Sequence, residues 1–279
     1  MSTIADRSDL AHLSGATPSN SPPSPEGAVL SAHFLGEFRV AINHMPVPLG
    51  TSRRTRTLLA FVIDRAPRPI ARDLLMEVFW PASTPDAARN SLHVAIRAVR
   101  KALSHSWPGV VIECRGDTYR LADSVSLWTD VAELERRSEW AAEASARGCD
   151  DEAMQHYEAA LALYGEEFLA DDPYLEWAVD RREEIRLRAV TCAERLSALH
   201  LERGDLRRAL VVSSQVLREE PCHEPVARRL MVAYARLGEP HMALRQYERI
   251  VDVLDRHLGV EPAPETVALA DGIRRRLPV

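Results

Sequence analysis

The period of apolar positions changes several times along the chain. In Phe34-Leu35-Gly36-Glu37-Phe38-Arg39-Val40, apolar and polar side chains alternate over most of the run, the mark of a half-buried strand. Asn43-His44 stands where a tight turn belongs, and Val47-Pro48-Leu49 reads as a second short strand. The period then becomes helical. Leu58, Leu59, Phe61, Val62 and Ile63 predict a helix over 52–64, entered through Thr51-Ser52 as cap candidates and broken by Pro67 and Pro69. Leu74, Leu75, Val78 and Phe79 predict a short second helix over 71–79, closed by Trp80-Pro81. Thr84-Pro85-Asp86 starts a third over 85–104: threonine as the cap, proline at the first helical position, and an acid at the positive end of the dipole. Val110-Val111-Ile112 and Thr118-Tyr119-Arg120-Leu121, joined by Arg115-Gly116-Asp117, then predict a β-hairpin.

From Thr129 onward no strand pattern is evident. Helices are predicted over 131–146, 150–164, 174–202, 205–218, 223–237, 240–258 and 264–277. Gly148, Gly204 and Gly238 punctuate them, and each is followed five residues later by an alanine: Ala153, Ala209 and Ala243. Tyr157 and Tyr247 follow the first and third alanines by four residues, and Gly204 and Gly238 are 34 residues apart. This spacing is that of tetratricopeptide-type helix pairs, in which glycine closes one helix and a small residue lets the next pack closely. Ser213 stands where the second tyrosine would be. Asp171-Asp172 is expected to cap a helix beginning near Tyr174.

The expected fold class is thus α+β followed by all-α. Residues 1–30, rich in Ser and Pro, are expected to be disordered; 31–127 form the mixed N-terminal domain and 128–279 the helical one. The 279 residues suffice for two domains, and apolar residues make up 46% of them, enough for a core in each. No run of apolar residues is long enough to span a bilayer, and the N-terminus lacks the pattern of a secretory signal. The four cysteines, Cys114, Cys149, Cys192 and Cys222, stand far apart and read as reduced thiols, so the expected location is cytoplasmic.

Charge separates the two halves. The net charge is -6, but residues 31–127 carry 13 Arg/Lys against 8 Asp/Glu, while 128–279 carry 21 against 30. A basic half joined to an acidic one suggests that only the first meets a polyanion.

The third helix supports that division. At 100° per residue, Leu92, Ile96, Val99 and Leu103 form one stripe, with Asn90, Val94, Arg97 and Lys101 nearly opposite. His93 lies beside this outer face, and Arg89 and Arg100 flank the core stripe. An amide that can pair with adenine, a cation that can pair with guanine and an aliphatic group that can touch a thymine methyl suit a major groove. Any solvated helix also carries charges; the position, after a short helix and before a hairpin with a glycine turn, favours DNA. Arg115 and Arg120 of the hairpin are candidates for phosphate or minor-groove contact, with Asp117 unfavourable there. Arg53, Arg54 and Arg56 open the first helix, where cations oppose the macrodipole, so contact with phosphate, with the intervening linker or with a partner surface is their expected role.

Together these residues resemble the Streptomyces antibiotic regulatory protein (SARP) family. The matching motifs are Leu35-Gly36-Glu37-Phe38-Arg39-Val40, Arg54-Thr55-Arg56-Thr57-Leu58-Leu59-Ala60, Val78-Phe79-Trp80-Pro81, the segment 88–97, Arg100-Lys101-Ala102-Leu103 and Tyr119-Arg120-Leu121. The second half is similar to the family's bacterial transcriptional activation domain at Thr129-Asp130-Val131, the segment 164–169, Trp177 with Arg181-Arg182, the segment 220–224 and Leu258-Gly259-Val260-Glu261-Pro262. The resemblance implies an OmpR-type winged helix-turn-helix followed by that domain. It implies an activator that binds direct repeats near promoters as a side-by-side homodimer, contacts RNA polymerase holoenzyme and controls a secondary-metabolite (antibiotic) cluster. It places the recognition role on Asn90, His93, Val94, Arg97 and Lys101, and the wing role on the segment from Arg115 through Thr118 to Arg120. Asn43-His44 replaces the family's usual Asp-Gly, and Gly116-Asp117-Thr118-Tyr119 its commoner Gly-Gly-Tyr.

No GxxxxGK[ST], GxSxG, HExxH or GxGxxG occurs, so neither an enzyme nor a nucleotide cofactor is expected. Cys222-His223-Glu224 are adjacent at a helix start and do not converge as metal ligands. Trp107, Trp128, Trp140 and Trp177 read as packing residues or partner anchors. The alternative is a repeat-type interaction or effector-sensing protein whose winged helix docks protein rather than DNA.

Overall fold

A computed structural model of the chain describes residues 27–50 and 52–277. Most of the expected N-terminal disordered segment and the cap candidate Thr51 lie outside the described residues.

Sheet formation begins earlier than the alternation suggested. Strand β1, Ala28–His33, covers part of the segment expected to be disordered, and Ala28, Leu30 and Ala32 turn inward. It pairs antiparallel with β2, Arg39–Ile42, which pairs with β3, Met45–Pro46. The intervening Asn43 and His44 have φ of 48° and 69°, the left-handed pair a two-residue hairpin requires, and the Asn43 side chain accepts a hydrogen bond from Val29 N at 2.9 Å. Phe34–Val40 is therefore not one strand, and Val47-Pro48-Leu49 lies just past β3.

The first helix, α1, is Arg53–Asp64, and the Ser52 side chain caps it by accepting from Thr55 N. Strand β4, Ile70–Ala71, leads into α2, Arg72–Phe79. Helix α3 is Pro85–Ser104, with Thr84 at the cap position but no cap bond from its side chain. Strands β5, Ile112–Arg115, and β6, Thr118–Leu121, form the expected hairpin around Gly116, whose φ of 57° meets the turn's demand. A second sheet has the order β4-β6-β5. The inner stripe of α3 (Leu92, Ile96, Val99 and Leu103) packs in one core with Leu58, Phe61, Leu75 and Ile112.

Strand β7, Val125–Thr129, has no counterpart in the sequence reading. It runs parallel to β1 and completes the sheet order β3-β2-β1-β7. It leads into seven helices: α4 (Asp130–Ala146), α5 (Asp150–Leu163), α6 (Val179–Glu202), α7 (Leu206–Glu219), α8 (Glu224–Arg236), α9 (Pro240–Leu258) and α10 (Pro264–Arg274). Each packs against the next. Gly148, Gly204 and Gly238 close α4, α6 and α8 with positive φ, and Ala153, Ala209 and Ala243 are buried at the facing turns. The helix expected over 174–202 is preceded by a separate 3-10 turn, Glu176–Ala178, so Tyr174 lies outside it.

Asp171 and Asp172 do not cap a helix as expected. They join the two halves: Asp172 pairs with Arg53 in a two-pronged contact, and Asp171 with Arg56 at 3.0 Å. Other contacts cross the same seam. The Phe34 and Phe168 rings stack at 5.2 Å, Phe61 meets Trp177 edge-on at 5.1 Å, and Leu35 and Phe168 form a β-bridge. Arg181 crosses the seam to Asp64 at 3.1 Å and pairs within the helical half with Glu135 at 2.8 Å. Burial pushes the Asp64 carboxyl up, against the opposing pull of Arg181. Burial opposes the Arg181 charge, yet Glu135 and Asp64 hold it above its usual range.

Candidate nucleic-acid interface

Helix α3 presents the outer face that its periodicity predicts. Asn90, His93, Val94, Arg97 and Lys101 are all exposed, and Val94 is 70% exposed. No hydrogen bond or ion pair engages the Arg97 or Lys101 side chain among the described residues.

Concave surfaces border this face on both sides. One, of about 810 Å³, lies between α3 and the hairpin and is lined by Asn90, His93, Val94, Arg97, Arg100 and Tyr119. The other, of about 510 Å³, runs from Asn90 and Val94 to Ser52, Arg54 and Trp80. The first turn of α1 is thus brought beside the first turns of α3, a juxtaposition that no sequence spacing shows.

The other arginines divide by their partners. Arg54 lies over the Trp80 ring at 5.3 Å and has no carboxylate partner among the described residues. Arg100 donates to the Ile112 carbonyl at 3.1 Å, tying α3 to the hairpin, and Arg89 lies 3.8 Å from Asp86. Arg53 and Arg56 are engaged within the chain by Asp172 and Asp171, a contact with another segment of this chain that leaves them less available to phosphate.

At the hairpin, Arg115 reaches Glu113 at 2.8 Å and Asp123 at 3.3 Å, and Arg120 pairs with Asp123. The Thr118 hydroxyl donates to Arg115 O at 3.0 Å, and Asp117 at the tip pairs with Arg72. The hairpin's positive charge is therefore largely answered within the hairpin. Glu113 and Asp123, which do this, were not identified from the sequence; their acidic character two and three residues from the arginines was the available signal.

Cys222-His223-Glu224 diverge: His223 faces Glu194 at 3.4 Å, and Glu224 accepts from Thr266 at 2.6 Å. No group of three metal-ligating side chains comes together among the described residues. No described helix is long and apolar enough to cross a membrane.

Residues 129–274 match the family described as "Bacterial transcriptional activator domain". The chain is 28% identical over 254 residues to the transcriptional regulatory protein EmbR of Mycobacterium tuberculosis, spanning 88% of this chain and 63% of that protein's length. It is 27% identical over 238 residues to the regulatory protein DnrI of Streptomyces peucetius, covering 81% of this chain and 86% of DnrI. The solved structure of M. tuberculosis EmbR, in complex with a low affinity phosphopeptide, superposes with a TM-score of 0.77 at 25% identity, covering 90% of this chain and 66% of that one. The chain spans about 63% of the length of EmbR, and it belongs to the bacterial transcriptional activator domain family.

Proposed function

We propose that the N-terminal half, about residues 31–127, is a winged helix-turn-helix that reads DNA through α3, and that the acidic half, 128–279, is a tetratricopeptide-like activation domain. The observation that carries this is the outer face of α3: Asn90, Val94, Arg97 and Lys101, exposed at successive turns with the cations unpaired among the described residues. An amide, an aliphatic group and a guanidinium at one-turn spacing fit base edges, while Arg54 and Lys101 fit the flanking phosphates. Arg115 and Arg120 take a lesser part, because Glu113 and Asp123 already compensate them.

The protein then acts in the cytoplasm as a sequence-specific activator. It binds direct repeats near a promoter as a homodimer and engages RNA polymerase holoenzyme through its acidic half; a secondary-metabolite gene cluster is the proposed target. The family membership and the naming of the relatives as regulatory proteins support this reading.

Footprinting on the promoters adjacent to the gene, across a salt series, tests it. Protected direct repeats with a steep loss of affinity as salt rises are expected, and Arg97→Ala should weaken binding by about 1–3 kcal/mol. Absence of any protected repeat at low salt, with partner binding intact in the Arg97→Ala variant, would overturn it in favour of a protein-docking role.

A further inference from the structure

A strap from the helical half crosses to the N-terminal half. It runs along the loop after β1: Gly36 N donates to Glu167 O at 2.9 Å, Leu169 N to Phe34 O at 2.7 Å and Ala170 N to Gly36 O at 3.0 Å. Arg182 of α6 holds it by donating to Phe168 O at 3.0 Å and to Pro173 O at 3.3 Å. The strap thereby carries the Asp171 and Asp172 carboxylates to the first turn of α1 as one unit.

The two ion pairs made there are unlike. Asp171 meets Arg56 at 3.0 Å with both side chains largely covered, a tie that keeps the strap in place. In the other pair the Asp172 side chain is 7% exposed, whereas that of Arg53 is 62% exposed. The carboxylate depends on its partner, because a buried charge left alone is costly. The guanidinium does not: it remains in water and can exchange one anion for another at little desolvation cost. Arg53 also opposes the macrodipole of α1, so the helix itself gives no reason for its charge. Its chain neighbours Ser52 and Arg54 line the concavity shared with Asn90 and Val94.

We propose that the Arg53–Asp172 pair is an autoinhibitory contact, an inference that rests on the reading of α3 as DNA-binding. With the pair closed, the helical half withholds from DNA a cation that stands one residue from the concavity beside α3. When the pair opens, Arg53 turns to a backbone phosphate and adds one contact. Carboxylate and phosphate oxygens are alternative acceptors for the same guanidinium. The coupling is reciprocal: DNA weakens the seam at Asp172, and a partner that disturbs the strap tightens the grip on DNA.

Fluorescence anisotropy of the full chain with a labelled duplex, across a salt series, tests this through a double-mutant cycle. Asp172→Asn keeps the shape of the side chain and removes its charge. It is expected to bind DNA about fivefold tighter at low salt, with a salt slope steeper by about one charge. Loosening of the seam in that variant frees Arg53 by the same route, so the expected direction is the same. Arg53→Gln is expected to bind within about twofold of the wild type, because the cation it removes is already withheld, and the double variant should match it. Equal or weaker binding by Asp172→Asn would overturn the proposal. So would a gain that persists in the double variant, which marks a general effect of net charge, or a full charge of salt slope lost in Arg53→Gln. Arg97→Ala in the same assay separates this outcome from the reading of α3. If it binds as the wild type does, that reading fails and the autoinhibitory contact with it. A weakened Arg97→Ala beside an unchanged Asp172→Asn overturns the contact alone.

Discussion

The Asp130 carboxylate is buried and accepts hydrogen bonds from Phe34 N at 2.9 Å, Leu35 N at 3.0 Å and Val131 N at 2.9 Å. It closes the end of β1 and starts α4 at once. Asp130→Ala leaves three backbone donors without this acceptor, so a loss of about 2–4 kcal/mol is expected, read as a lowered urea midpoint. Asp130→Asn, which keeps one oxygen, should lose less. His200 is a second such residue, buried to 2% exposure between Glu158 and Asp205, with Arg203 and Arg208 nearby. Burial lowers its pKa from the ordinary 6.5, and the flanking Asp205 and Glu158 only partly offset that. A histidine kept neutral in this way contributes stability above the unfolded value, which is lost as pH falls through it toward the folded value. Stability should therefore drop between about pH 7 and pH 5 more steeply in the wild type than in His200→Gln, as denaturation midpoints across that range would show.

Among the elements, the cations of α3 and those of the β5–β6 hairpin have different surroundings. Arg97 and Lys101 of α3 are unpaired among the described residues, whereas Glu113 and Asp123 engage Arg115 and Arg120. Releasing a paired guanidinium to a phosphate forfeits its internal partner, so its net contribution is smaller. On the proposed reading, Lys101→Ala should reduce the salt slope of DNA binding by about one charge, and Arg115→Ala by distinctly less, in fluorescence anisotropy across a salt series. Equal effects would show that the hairpin opens its internal pairs on DNA.

For the whole molecule, the seam decides how the halves act together. Phe168 is fully buried, stacks on Phe34 at 5.2 Å and bridges to Leu35, so a side chain of the helical half forms part of the N-terminal core. Phe168→Ala should cost about 3–5 kcal/mol. Calorimetry is the check: the wild type is expected to unfold in one cooperative transition and the variant in two, the N-terminal half first. A single transition retained at lower temperature would show that the ionic contacts of Asp171, Asp172 and Arg181 suffice to couple the halves.

The sequence by itself determined the elements whose periodicity is complete within a dozen residues. Helix α3 carries its bounds in Thr84-Pro85 and its two faces in the spacing of Leu92, Ile96, Val99 and Leu103 against Asn90, Val94, Arg97 and Lys101. Gly148, Gly204 and Gly238 marked three helix ends because a left-handed residue is needed there and glycine adopts it without strain. Tertiary structure alone decided the rest. Strand β7 is five residues long and gains its ladder only from β1, almost a hundred residues earlier, so no local alternation reveals it. Asp171-Asp172 looks like a helix cap because cap chemistry and salt-bridge chemistry use the same side chain. Only the fold brings Arg53 to Asp172 across 119 residues. The pairing of the hairpin cations Arg115 and Arg120 with Glu113 and Asp123 was likewise not legible in the sequence. Charge at a site is set by what lies within a few ångströms in space, and linear order fixes that distance only within a helix turn or a hairpin.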